Sequence, residues 1–248
     1  MLYIGLDVHA RQSTFCVLDQ NGRKLSSRTV HGPSDKVLSE LAEIKEDFAI
    51  CFEATTGYGY LYERLSTIAQ RVAVAHPGHL RLIFRSKRKN DRVDAHKLAK
   101  LLFLDEVPPV YVPPLQVRAW RSMIKHRHNL VAERTRAKNA LRALLSGLGI
   151  VPIKGLWSRD GMRWLKDLAL STGLDAVRRD ILLERIDSTN RMIRRVEKEL
   201  RRVARSRPGV MLLMTIPGVG MRTAEAVVAY INDASRFSRN KAVGTWLG

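Results

Sequence analysis

The chain has 248 residues, enough for two domains of ordinary size, and 45% of them are hydrophobic. Charged residues make up 27%, and 43 lysines and arginines stand against 24 acidic residues, a net charge of +19. The sequence has no membrane-spanning stretch, no basic start typical of a signal peptide, and only two cysteines. These features exclude the membrane, disordered, disulfide-rich and zinc-ribbon classes. They predict a cytoplasmic protein whose partner is a polyanion, most simply nucleic acid.

The charge is distributed unevenly along the chain. Almost all of the net +19 lies after residue 113, and a proline-rich segment at 107–114 separates the two parts. We predict three domains, at 1–107, 108–204 and 205–248.

The first part alternates short apolar runs with amphipathic stretches. The runs predict strands at Leu2–Asp7, Ser13–Leu18, Lys24–Val30, Asp47–Ala54 and Val72–Ala75, and the stretches predict helices at Ser34–Ile44, Tyr60–Gln70 and Asp91–Phe103. An Asn-Gly pair at 21–22 predicts the turn of a hairpin. Three antiparallel strands followed by alternating helices and strands indicate an α/β layer with a mixed sheet.

The second part reads as almost all helix. Residues 116–148 form one long basic helix or a helical pair, and 174–203 carry an apolar seam with heptad-like spacing. That seam fits a helical hairpin and a dimer equally well. The outer face of the second helix is rich in arginine, which fits either a solvated surface or contact with a polyanion.

Four carboxylates of the first part occupy unusual positions. Asp7 and Glu53 end apolar strands, and Asp91 and Asp94 share one face of a helix that follows a basic run. Taken singly, each has an ordinary explanation: a turn cap, an ion pair or a helix cap. Taken together, they favour a site where carboxylate oxygens hold Mg²⁺ or Mn²⁺ and where the ion assists chemistry at phosphorus.

Three segments around these acids resemble one known family. Ile4–His9, Phe52–Thr55 and Lys89–Ala95 are similar to segments of the DEDD-type insertion-sequence transposases of the IS-one-ten family, and Leu130–Asn139 is similar to the helical linker of that family. The order of strands and helices likewise resembles the RNase H fold in its RuvC-like branch. The resemblance implies an α/β RNase H-like domain with a mixed sheet, followed by an all-α basic region with a helix-hairpin-helix-like turn.

The resemblance also implies roles for the residues. Asp7, Glu53, Asp91 and Asp94 become the catalytic tetrad that binds Mg²⁺ or Mn²⁺. His9 fits the family pattern, and we expect it to support the site without binding the metal. The implied partners are DNA, a structured guide RNA and further copies of the chain, as a dimer or tetramer.

A second set of residues is predicted to contact nucleic acid. The turn at Pro217–Gly220 joins two helices, and its glycines allow close approach of a phosphate to backbone N–H groups. The alternative is a plain tight turn between packed helices. The predicted contacts are Lys87, Arg88, Lys89, Arg134, Lys138, Arg194, Arg195, Gly218, Gly220 and Arg222.

The nucleophilic serine of the family belongs to a loop beyond the last residue of this sequence, and neither Ser235 nor Ser238 matches its motif. We therefore expect either a truncated element or part of a longer protein. Three interpretations stay open: a transposase that cleaves and exchanges DNA strands, a metal-dependent nuclease of the resolvase type without serine chemistry, and a remnant that only binds nucleic acid.

Overall fold

The computed structural model describes residues 1–83 and 90–247 of the chain. The chain folds as two compact units, Met1–Pro113 and Pro114–Gly248. The boundary between them lies in the proline-rich segment, where prolines favour extended backbone over helix. The predicted division of the second unit near residue 205 stays a prediction.

One mixed sheet forms the centre of the first unit. Its strands are β1 (Leu2–Val8), β2 (Gln12–Leu18), β3 (Lys24–His31), β4 (Phe48–Glu53) and β5 (Arg71–Ala75). They lie in the order β3-β2-β1-β4-β5; the three strands from β3 to β1 are antiparallel, and β4 and β5 run parallel to β1. The α/β class and the mixed sheet are thus confirmed.

The predicted hairpin turn joins β2 to β3. The Asp19 carboxylate accepts the backbone N–H groups of Asn21 and Arg23, each at 2.8 Å. Gly22 takes φ of +75°, a left-handed conformation that glycine adopts without steric cost.

Helices cover both faces of the sheet. They are α1 (Ser34–Ala42), α2 (Tyr58–Leu65), α3 (Pro77–Ile83) and α4 (Asp91–Phe103). Side chains alternate across β1, so Ile4 and Leu6 share a core with α1 and α2. Gly5 lies on the opposite face, where the backbone of α4 passes so close that a Cβ at Gly5 would be 2.0 Å from the carbonyl oxygen of Ala95. A glycine in the middle of β1 therefore sets the position of α4.

Helix α2 differs from its prediction. Tyr60–Gln70 was expected to be helical, whereas the helix spans Tyr58–Leu65. Just beyond its end, the Ser66 hydroxyl donates to the Tyr62 carbonyl at 2.7 Å, and the Thr67 hydroxyl bonds another carbonyl of the last turn. Such side-chain bonds compete with the helical backbone pattern and help to end the helix.

The second unit is helical. Its elements are α5 (Leu115–Gly147), α6 (Arg159–Asp167), α7 (Gly173–Arg205), α8 (Pro208–Leu213), α9 (Met221–Ile231), a 3₁₀ turn (Ala234–Arg236) and α10 (Asn240–Leu247). Residues 116–147 thus belong to one helix rather than a pair, and Leu148 follows its end. Within the described residues, no helix is both long and apolar enough to cross a bilayer.

Helices α5 and α7 pack as an antiparallel hairpin. Arg127 pairs with Glu197 near one end, and Glu133 pairs with Arg185 further along. On the apolar seam, Ile186 is buried in a cluster with residues of α5, and Leu200 is buried in a second cluster with Trp120. These contacts support the hairpin interpretation of the seam, because they bury it within its own chain.

One arginine of α5 holds the end of α9. The Arg121 guanidinium donates to the carbonyls of Ala229 and Tyr230, each at 2.8 Å, and lies 5.3 Å from the centre of the Tyr230 ring. The carbonyls in the last turn of a helix lack partners within the helix, so a cation is favourable there. Part of the positive charge of α5 therefore serves folding.

Candidate functional site

Asp7 stands near the carboxyl end of β1, on the face covered by α4. It is two residues beyond Gly5, and residues two apart in a strand point to the same face. Its side chain is only 14% exposed, although a carboxylate is costly to bury. The close packing of α4 on Gly5 brings the start of α4 towards this carboxylate.

The first turn of α4 supplies two more acids. The Asn90 side chain caps the helix by accepting the backbone N–H of Arg92 at 3.1 Å, and Asp91 and Asp94 follow in the first turn. Asp91 thus lies just inside the helix and is not its cap, which leaves its carboxylate available to the site. One of its oxygens accepts a 2.8 Å hydrogen bond from the amide of Gln12.

His9 lies between the two aspartates. Its Nε2 is 3.2 Å from Oδ2 of Asp7 and 3.6 Å from Oδ1 of Asp91. One potential ligand atom from each of these three side chains lies within 4.8 Å of the other two, and the described residues contain no other such group of histidine, cysteine or acidic residues. The structure therefore brings together Asp7, Asp91 and a histidine that was expected only to support the site.

The other two predicted acids lie beside this group. The register of β1 and β4 pairs Leu6 with Phe52, so Glu53 and Asp7 follow at equivalent positions of neighbouring parallel strands. Neither Glu53 nor Asp94 belongs to the 4.8 Å group among the described residues. Asp94 pairs with Lys97 at 3.2 Å, and its charge still acts on Asp7.

The environment of Asp7 disfavours its negative charge. Burial raises the pKa of the Asp7 carboxyl. Electrostatic attraction to His9 lowers that pKa, and repulsion by the carboxylates of Asp91 and Asp94 raises it. Oδ2 of Asp7 is buried and lies 3.2 Å from Nε2 of His9. A buried carboxylate beside a second carboxylate is what a divalent cation would neutralise, so the residues fit a metal with oxygen ligands.

Two neighbours of the site were not identified from the sequence. Gln12 orients Asp91, and Lys97 offsets the charge of Asp94. Lys97 follows Asp94 at helical i, i+3 spacing, a signal that was available in the sequence. Gln12 gave no such signal, because its partner lies 79 residues away.

The predicted nucleic-acid contacts fall into different environments. Lys87, Arg88 and Lys89 lie outside the described residues. Arg194 and Arg195 are exposed on α7. The half-buried Arg134 donates to the Asn190 side chain at 3.1 Å.

Lys138 packs against an aromatic ring. Its ammonium lies 4.7 Å from the centre of the Trp157 ring, and Arg142, one turn further along α5, lies 5.4 Å from it. Burial lowers the pKa of Lys138, and the charges of Arg134 and Arg142 lower it further. The Trp157 ring thus offsets part of the mutual repulsion among Arg134, Lys138 and Arg142, which follow one another at helical spacing on α5.

The glycine turn connects α8 to α9. Gly218 has φ of +83°, and Gly220 is the residue that precedes the first turn of α9. Both glycines are exposed, and a Cβ at either would meet nothing within 4 Å. The turn is therefore exposed, as contact with a phosphate would require.

Arg222 lies in a buried charge cluster. Its Nη1 is 2.7 Å from Oε1 of Glu225, whose side chain is 1% exposed, and the Arg127–Glu197 pair acts electrostatically on both. Burial raises the pKa of Glu225 and lowers that of Arg222. The two shifts agree: removal from water disfavours both charges by more than their mutual attraction restores.

This cluster predicts how stability depends on pH. A carboxyl whose pKa rises on folding binds protons more tightly in the native state, so its contribution to stability grows as the pH falls from 7 through the raised pKa towards the ordinary value of 4.5. The free energy of unfolding of the wild type, relative to that of Glu225→Gln, should therefore increase over this range, by about 1.4 kcal/mol per unit of pKa shift. Urea unfolding at several pH values measures the difference. Glu184→Gln, an exposed change on α7, should show no such trend, and a constant difference for Glu225→Gln would contradict the prediction.

Comparison with known proteins identifies relatives over nearly the whole chain. Residues 4–150 match the DEDD transposase model of the IS110 (IS-one-ten) family, described as "Transposase", and residues 210–248 match the model described as "Transposase IS116/IS110/IS902 family". The first match alone covers more than half of the chain.

Curated relatives agree with the family models. The chain is 25% identical to the transposase for insertion sequence element IS1111A of Coxiella burnetii, over 99% of this chain and 67% of the relative. It is 23% identical to the transposase for IS1533 of Leptospira borgpetersenii, over 94% of this chain and 70% of the relative, and 25% identical to the putative transposase y4qE of Sinorhizobium fredii, over 99% and 62%. The chain thus spans about two thirds of the length of these relatives. On the strength of the family models, the chain belongs to the IS110 family of insertion-sequence transposases.

Proposed function

We propose that the first unit is an RNase H-like domain of the RuvC-like type that binds Mg²⁺ or Mn²⁺ and assists DNA cleavage and strand exchange. The observation that carries the proposal is the meeting of Asp7, Asp91 and His9 at the end of β1, where the carboxylate of Asp7 is largely buried. The sheet order and the placing of α4 against β1 support the fold assignment.

The proposed roles follow from position. Asp7 and Asp91 would hold the ion, while Glu53 and Asp94, on the next strand and one turn along α4, would complete its oxygen ligands. A bound divalent ion polarises a phosphate oxygen and lowers the pKa of an attacking hydroxyl or water. Gln12 fixes the orientation of Asp91 by its hydrogen bond, and Lys97 offsets part of the negative charge of Asp94.

The second unit is proposed to bind nucleic acid along α7. Between residues 191 and 205 the exposed basic side chains are Arg191, Arg194, Arg195, Lys198, Arg201, Arg202 and Arg205. Arg191 and Arg202 pair with Asp187 and Glu199 on the same helix. These seven basic residues share three acidic neighbours within one helical turn, Asp187, Glu197 and Glu199, so the face keeps an excess of positive charge that a polyanion would relieve.

Removing Arg194 and Arg195 together tests this surface. If each contacts one phosphate, the slope of log K against log salt for a short DNA duplex should fall by about 2, with weaker binding at every salt concentration. Fluorescence anisotropy over a salt series measures both quantities for Arg194→Gln/Arg195→Gln. The control removes the same charge elsewhere in the second unit, at the exposed Arg159 of α6 and Arg178 of α7, and should keep the wild-type slope. An unchanged slope in the first variant would contradict the proposal and show that this face is ordinary solvated surface.

The wider activity is also a proposal. Through the family, we propose that the protein acts as a homodimer or homotetramer, uses a structured guide RNA that pairs with donor and target DNA, and joins strands with a serine nucleophile of the family's C-terminal domain. The exposed turn at Gly218 and Gly220 supports backbone contacts that position nucleic acid without reading its sequence.

The chemistry can be tested with supercoiled DNA that carries the ends of the element, together with RNA transcribed from the flanking sequence. Metal-dependent cleavage that leaves a protein–DNA covalent adduct would support the transposase. Cleavage without an adduct would support a hydrolytic nuclease, and binding without cleavage at any metal concentration would contradict the catalytic proposal.

A further inference from the structure

We infer that His9 is itself a ligand of the divalent ion, so that the site combines imidazole nitrogen with carboxylate oxygen and favours a transition-metal ion such as Mn²⁺ over Mg²⁺. This inference rests on the proposed metal-binding function and assigns to His9 a role that the tetrad alone does not include.

The backbone explains why His9 faces the site. It follows Asp7 by two residues, the spacing at which side chains of an extended chain point to the same face. Its N–H donates to the carbonyl of Gln12 at 2.9 Å, which continues the β1–β2 hairpin by one residue beyond the end of β1. The side chain of Gln12 in turn bonds Asp91. The hairpin therefore fixes both His9 and one of its acidic neighbours.

The spacing of the donor atoms fits coordination. A single atom, Nε2 of His9, lies 3.2 Å from the Asp7 oxygen and 3.6 Å from the Asp91 oxygen. Ligands at right angles around an ion with bonds of about 2.1 Å lie about 3 Å apart. Nε2 of His9 is thus already at nearly the separation of a neighbouring ligand from each of the two oxygens, and all three donor atoms lie within 4.8 Å of one another.

The donor set has a chemical consequence. Mg²⁺ strongly prefers oxygen and keeps several waters, whereas affinity for mixed nitrogen and oxygen sites rises along the first-row transition metals. An imidazole also adds a ligand without adding a further negative charge to the crowded carboxylates. A site containing His9 should therefore discriminate more strongly in favour of Mn²⁺ than a site made of carboxylates alone.

Electron spin-echo spectroscopy of the Mn²⁺-loaded intact chain tests the inference, because directly bound imidazole nitrogen modulates the echo. We expect nitrogen modulation in the wild type and in His31→Gln, which changes an exposed histidine of β3, and its loss in His9→Gln. His9→Asp should retain Mn²⁺ without the modulation. The ratio of Mn²⁺ to Mg²⁺ affinity should fall about 10-fold in both His9 variants.

The outcomes separate the inference from the function on which it rests. Bound Mn²⁺ without nitrogen modulation in the wild type, or modulation that persists in His9→Gln, would overturn the ligand assignment and leave the metal site standing. Absence of Mn²⁺ binding by the wild type would overturn both. Circular dichroism of each variant shows whether it folds. If His9→Gln does not fold, His9→Asp still tests the ligand assignment.

Discussion

Asp7→Asn is expected to reduce affinity for Mg²⁺ and Mn²⁺ by more than about 100-fold and to abolish metal-dependent DNA cleavage. Asn keeps the shape of the side chain but removes the charge that attracts the cation. Because the pKa of Asp7 is raised mainly by burial, its ionised form is costly in the folded protein without metal. The metal-free variant should therefore be at least as stable as the wild type at pH 7.

Three measurements check this prediction: calorimetric titration with each metal, thermal unfolding without metal, and anisotropy with a DNA duplex. DNA affinity should stay within about 2-fold, because we propose that the phosphate contacts lie on the basic surface of α7. Asp47→Asn is the matched control, since Asp47 is exposed and lies just before β4, at the opposite end of that strand from Glu53. Metal affinity that survives in Asp7→Asn would contradict the assignment of the site.

Gly5→Ala is expected to have the second largest effect, on stability and on metal binding together. A Cβ at Gly5 would lie 2.0 Å from the carbonyl oxygen of Ala95 and 2.3 Å from the backbone nitrogen of Ala99. Helix backbone cannot turn aside as a flexible side chain can, so α4 must shift as a body. We expect a loss of about 3 kcal/mol in the free energy of unfolding.

The shift of α4 should also change the geometry of the metal site. Asp91 and Asp94 belong to the first turn of that helix, so their distance from Asp7 should increase and metal affinity should fall about 10-fold or more. Gly147→Ala is the control, because Gly147 ends α5 with open space around it and should gain up to about 1 kcal/mol from better helix propensity. Wild-type stability in Gly5→Ala would show that α4 does not rest on this glycine.

Local chemistry made much of the fold predictable. The hairpin at Asp19–Gly22 follows from an Asp side chain that bonds backbone N–H groups and a glycine free to adopt positive φ. Helix α4 has the predicted limits because Asn90 caps it and because Leu98 and Leu102 bury one face. These signals lie within a few residues of the element that they specify.

Elements that depend on packing against residues far away in the sequence were not predicted. Helix α6 has only Gly161 and Leu165 buried, and Gly161 rests on the backbone at Leu156, which the sequence does not show. A usable signal was nevertheless present, since the Ser158 hydroxyl accepts the Gly161 N–H at 3.2 Å as a helix cap.

The same distinction applies to the candidate site. Asp7 and Asp91 could be chosen from the sequence because acids at a strand end and in a first helical turn are visible there. The position of His9 between them could not, because it requires the hairpin and the packing of α4 together. The pairing of Arg222 with the buried Glu225 likewise depends on how α9 packs within its unit, and the charge pattern alone favoured a fully exposed arginine.

The most direct test of the central claim is a titration of Mn²⁺ into the intact chain, followed by the electron paramagnetic resonance signal of free Mn²⁺. The account predicts saturable uptake that excess Mg²⁺ displaces and that Asp7→Asn lacks. A free signal that rises in proportion to added Mn²⁺ from the first addition, in the wild type as in Asp7→Asn, would contradict it.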